Sequence, residues 1–167
     1  MLEKLANRID WLNAAIGRTV AWLTLGIVFV GFAVVLMRYV FSAGSIWLQE
    51  SILYGHAAIF MLAAAWTLAA NGHVRVDIFY AKATPRTKAA VDVIGTLVLL
   101  LPFSITLFVL SMPYVMRSWA IMEGSREASG LPAVFLLKTM IPVFAILMAL
   151  QGLAQLARAA IVLRQPR

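Results

Sequence analysis

Four stretches of the chain carry no Asp, Glu, Lys or Arg: Thr19 to Met37, Ser51 to Gly72 with an imidazole at His56, Val93 to Met116, and Thr139 to Ala157. They run for 19, 22, 24 and 19 residues. Each is near the roughly 17 to 25 residues that cross about 30 Å of hydrocarbon at about 1.5 Å per residue. A buried soluble helix seldom needs such a run, so four of them predict an all-α integral membrane protein forming a single membrane domain over 1–167. The expected spans, with their flanks, are 19–41, 48–71, 85–116 and 133–160. The third starts in the cytoplasm before it enters lipid.

Local residues punctuate these spans. Thr84 followed by Pro85 reads as an N-cap and first helical position, since the hydroxyl can accept an amide proton and proline lacks only an amide that would go unpaired there. Gly72 is a candidate helix stop, and Ser129, Gly130 and Pro132 break the chain before the fourth span. Pro102, Pro113 and Pro142 lie in or near spans and predict local kinks, which membrane helices tolerate when neighbours satisfy the freed carbonyl. In the segment 1–18, Leu2, Leu5, Ile9, Leu12 and Ile16 recur at spacings of three and four opposite Lys4, Asn7, Arg8 and Arg18. That pattern fits a short amphipathic helix on the membrane face, or equally a cytoplasmic extension of the first span.

Composition supports the membrane reading: of 167 residues, 63% are hydrophobic and 13% charged, against about a quarter charged in ordinary soluble domains. Charge also orients the chain. Lys4, Arg8 and Arg18, then Arg75, Lys82, Arg86 and Lys88, then Arg158, Arg164 and Arg167 fall on one side; only Arg38, Arg117, Arg126 and Lys138 fall on the other. The positive-inside rule puts the first set, and with it both termini, in the cytoplasm. The first apolar run exceeds a signal peptide's core, so the start reads as mature sequence.

Candidate chemistry is sparse. Cysteine is absent, which removes disulfides, thiolate catalysis and cysteine-bound metal. His56 and His73 are 17 residues apart, about 25 Å along a helix, so the chain alone cannot clamp a haem between two imidazoles or build a conventional zinc site. No phosphate-binding glycine loop, hydrolase elbow or acid–base pair is present, and the basic residues are topology determinants rather than a nucleic-acid surface. The sequence therefore calls for no catalytic residue, cofactor or resident metal. Glu50, beside Trp47 and Gln49, suits a helix start and interfacial anchor, or a polar contact to another subunit, with Arg38 its nearest candidate partner in the chain. His56 inside the second span predicts a neutral imidazole bonded to a neighbouring helix, with a proton carrier as the alternative. His73, Arg75 and Asp77 mark a tight cytoplasmic turn or a docking element. Ala65/Ala69 and Ala145/Ala149 with Gly152 offer narrow faces for close packing, Gln151 and Gln155 form a polar strip that prefers protein or headgroups, and Lys138 can snorkel outward.

With these residues in place, the sequence resembles the small, DctQ-like membrane subunit of tripartite ATP-independent periplasmic (TRAP) transporters. The resemblance rests on Arg38-Tyr39-Val40-Phe41, Trp47-Leu48-Gln49-Glu50, Gly72-His73-Val74-Arg75-Val76-Asp77, Gly130-Leu131-Pro132 and Ile141-Pro142, and with the four-span layout it covers nearly the whole chain. Val143-Phe144 stands where the family often has a glycine.

The resemblance implies a non-enzymatic scaffold in the bacterial inner membrane. Its expected partners are membrane lipids, a large membrane subunit that binds sodium and substrate, and a periplasmic binding protein that delivers an organic acid. It marks Arg38, Trp47, Glu50, His73, Arg75 and Asp77 as structural or interface positions. Two other classes compete: a small oligomeric transporter sufficient by itself, and an anchor subunit of a membrane oxidoreductase.

Overall fold

A helical wheel with leucine on one side and asparagine on the other has two possible partners, and the fold selects between them. The computed structural model describes residues 2–73, 80 and 82–164, and these include the α-helices α1 Leu2–Ala21, α2 Leu23–Tyr39, α3 Ile46–Ala69, α4 Pro85–Gly95, α5 Leu101–Ala120 and α6 Val134–Arg164. A π-turn over Thr96–Leu100 joins α4 to α5. Helices α1 and α2 form one rod of 38 residues, tightened at Trp22, where bonds to Thr19 and from Leu25 skip three residues instead of four. Among the described residues four rods are thus long and apolar enough to cross a membrane, as the sequence predicts. The N-terminal segment continues the first of them.

Glycines set the antiparallel register of α1 and α2 against α3. A Cβ on Gly17 would lie 2.6 Å from Trp66 Cε3, and one on Gly55 would lie 3.1 Å from Ile27 Cγ1. Gly31 faces Ile52 in the same register, at 3.9 Å. In lipid the tails are as apolar as leucine, so close backbone approach and polar links decide helix association more than apolar burial does.

The helices lie side by side around α6, which packs against α1, α3, α4, the π-turn and α5. Ala65 and Leu68 of α3 meet Leu147 and Met148 of α6 in the core, and Gly152 admits Thr96 and Leu100 of the π-turn. The small-residue faces expected on α3 and α6 are therefore used inside the chain. At the far side α2 buries no residue, and Phe29 and Phe32 point outward.

Thr84, Pro85 and Pro102 sit where their local chemistry places them. Thr84 accepts the Thr87 amide at 3.3 Å and Pro85 occupies the first turn. Ahead of Pro102, the amide of Leu101 bonds the Thr96 carbonyl, five residues back; widening the helix there accommodates a ring that has no amide to give. The helix stop expected at Gly72 is shared with Asn71. Asn71 takes the left-handed conformation at φ 56°, its amide bonds Leu68, and Gly72 supplies the longer bond to Thr67. Asparagine tolerates that region, and glycine is needed one residue later, where a Cβ would lie 3.0 Å from Thr67 Cγ2. Met122 ends α5 in the same way, at φ 46°.

Candidate functional site

Polarity gathers at the two ends of the helical slab. At the end bearing both termini, the side of α1 that carries Asn7, Asp10 and Asn13 turns toward α6, leaving Leu2, Leu5, Trp11 and Leu12 exposed. Asn13 and Gln151 are fully buried. The Asn13 amide donates to Gln151 Oε1 at 2.7 Å, and Gln151 donates in turn to Asp10 Oδ1 at 2.9 Å. Arg158 closes the chain of contacts by donating to the other Asp10 oxygen and to Asn7 Oδ1. The polar strip expected at Gln151 and Gln155 thus includes a buried link between the first and last helices. The sequence signal for its partner was present in Asn7, Asp10 and Asn13, three residues apart on one side of a helix.

At the opposite end, Glu50 clamps the loop between α5 and α6. Its Oε1 accepts from the Ser125 hydroxyl and its Oε2 from the Leu131 amide at 2.5 Å. Gly130 makes room, since a Cβ there would lie 2.7 Å from Glu50 Oε2. The partner of Glu50 is therefore this loop and not Arg38, which ends α2 with its side chain exposed. One turn below Glu50, the Tyr54 hydroxyl is buried with no hydrogen-bond partner among the described residues.

The same loop holds a second fastening. Lys138 Nζ lies 2.5 Å from Glu123 Oε2 and 4.0 Å from the centroid of the Tyr114 ring. That hydrogen bond and charge hold the Glu123 carboxyl below its ordinary range. Trp119 donates to Thr139 Oγ1 at 2.8 Å and meets Phe135 edge-on at 4.7 Å between centroids. Lys138, expected to snorkel outward, is held between the Glu123 carboxylate and the Tyr114 ring.

The remaining candidate positions do not converge. Trp47 is exposed beside Glu50, His73 is exposed beyond α3, and Arg75 and Asp77 lie outside the described residues. His56 is exposed and makes no hydrogen bond to another described residue, so the bond to a neighbouring helix of this chain expected from sequence is not made. A groove of about 570 Å³ between α3 and α4 is lined mainly by Leu68, Val91, Gly95 and Leu100, with Tyr80 bonded to Asp92 at its rim. Among the described residues no three His, Asp or Glu side chains group as metal ligands.

These features define a polytopic helical membrane protein whose polar residues fasten its own ends. The family model for the DctQ component of tripartite ATP-independent periplasmic transporters matches residues 27–161, and the chain belongs to that family. This is a transporter-component family and not an enzyme family. No curated protein and no solved structure matches the chain.

Proposed function

We propose that the chain is the small scaffold subunit of a sodium-coupled TRAP transporter for an organic acid, seated in the bacterial inner membrane with both termini in the cytoplasm. A large membrane subunit binds the ion and substrate, and a periplasmic protein delivers the solute. The observation that carries this reading, beside family membership, is where the polar groups go. The Glu50 clamp, the Glu123–Lys138 pair and the Asn13–Gln151–Asp10–Arg158 link all tie one part of this chain to another. A rigid, apolar slab suits the immobile part of a transporter, against which a moving part works. The excess of basic residues at the end that carries both termini supports the cytoplasmic assignment.

The test is co-purification with a large TRAP membrane subunit from the same cell, followed by uptake of candidate organic acids into reconstituted vesicles under a sodium gradient. Uptake is expected only when all three components are present. Uptake by this chain alone would overturn the scaffold reading in favour of a self-sufficient carrier.

A further inference from the structure

Helix α3 is the inner wall of the slab on one side only. Ile52 and Gly55 face α2, Trp66 covers Gly17 of α1, and Ala65 and Leu68 pack on α6. Between those sectors an uncovered strip runs along the helix through Gln49, Leu53, His56 and Phe60. Their spacings of four, three and four put them on one face. Leu53 is 58% exposed and Phe60 75%.

His56 distinguishes this strip from an ordinary lipid-facing surface. It is ten residues into α3, about 15 Å below the helix start and well inside the hydrocarbon of any placement that lets α3 span. Polar side chains at that depth rarely face lipid, because hydrocarbon offers no hydrogen-bond partner. The described residues of the chain offer none either. The other outward rods show no comparable group: the exposed polar side chains away from the ends of α2 and α5 are Thr24, Thr106 and Tyr114; threonine can bond back to its own helix, and the Tyr114 ring carries Lys138.

We infer that the Leu53–His56–Phe60 face of α3 is the docking surface for a transmembrane helix of the large partner subunit, which supplies a hydrogen-bonding group at the depth of His56. The inference rests on the transporter reading above. The close approaches at Gly17, Gly55 and Gly152 are already filled from within the chain, while Gly26 on α2 and Gly95 at the end of α4 meet nothing within 4 Å. What sets the α3 strip apart is its polar point: apolar at Leu53 and Phe60 with His56 between them, its chemistry suits protein better than lipid.

The experiment places a photo-crosslinking amino acid, p-benzoylphenylalanine, at Leu53 or Phe60 in membranes holding the whole complex, with Phe29 on α2 and Leu110 on α5 as comparison positions. Adducts to the large subunit are expected from Leu53 and Phe60 at several times the comparison yields. Yields no higher than those from Phe29 and Leu110, or adducts mainly to lipid or to a second copy of this chain, overturn the inference while leaving the transporter reading intact. A wild-type chain that does not co-purify with the large subunit overturns the transporter reading itself.

His56→Leu and His56→Asn supply the second measurement. Helix–helix hydrogen bonds in membranes predict a loss of about threefold or more in recovered complex for His56→Leu. The Asn variant, which keeps a donor and an acceptor, is expected to recover most of that loss. The isolated chain should melt at the same temperature in all three forms, because His56 bonds none of its described residues. Unchanged recovery with His56→Leu removes the polar point from the argument and overturns the assignment of this face.

Discussion

The carboxylate of Glu50 and the amide of Leu131, 81 residues apart in sequence, meet at 2.5 Å and pin the loop after α5 to the start of α3. Charge-assisted bonds of this kind are the stronger ones, and an amide deprived of its acceptor is costly. Glu50→Gln keeps an acceptor for Leu131 and a donor for Ser125, and should cost about 1 kcal/mol. Glu50→Ala removes both and should cost about 2–3 kcal/mol, read as a lower melting temperature of the purified chain in detergent. A Glu50→Ala protein as stable as wild type would show that the clamp contributes nothing.

Gln151 and Asn13 give a different signature. Gln151→Leu strands the Asn13 amide in a fully buried position and is expected to destabilise by about 1–3 kcal/mol. Adding Asn13→Leu removes the stranded group, so the double variant should be more stable than Gln151→Leu alone. Thermal unfolding of the four proteins in the cycle measures the coupling.

Gly17 is held to its size by Trp66. Gly17→Val overfills that contact and should cost about 1–3 kcal/mol, with partial recovery when Trp66 is cut to Leu. Recovery should be visible in the same melts.

Acid should loosen the loop through Glu123. Its carboxyl is held below the ordinary value of 4.5 mainly by the hydrogen bond from Lys138. A carboxyl depressed on folding adds stability that is fully present above its unfolded pKa and is lost as pH falls through the folded one. The melting-temperature gap between wild type and Glu123→Gln should therefore hold from neutral pH down to about 5 and close progressively below 4.5. A gap that widened on acidification would reverse the assignment.

What was legible in the sequence was local. Uncharged runs show where rods cross, and Thr84-Pro85 shows where α4 begins, because both depend on neighbouring residues only. Pairings across the fold were not legible in that way. The helical wheel of α1 shows an apolar and a polar side, and water is the default partner for the polar one; only the position of Gln151, 138 residues from Asn13, turns that side inward. Glu50 was recognisable as a helix-start acid, yet its partners lie in a loop whose path no short-range pattern dictates. Gly72 was recognisable as a helix stop, but nothing local showed that Asn71 before it takes the left-handed conformation.

The central place of α6 bears on how the chain is made. Its partners α1, α3, α4 and α5 all leave the ribosome before it does, and Asn13 and Asp10 enter the membrane region long before Gln151 and Arg158 exist to receive them. During synthesis the packing of α3 on α1 and α2 forms without the last helix, and its arrival joins α4 and α5 to that group. A chain that terminates before Val134 should accordingly be a preferred substrate for membrane proteases, even though three of its four spans are complete.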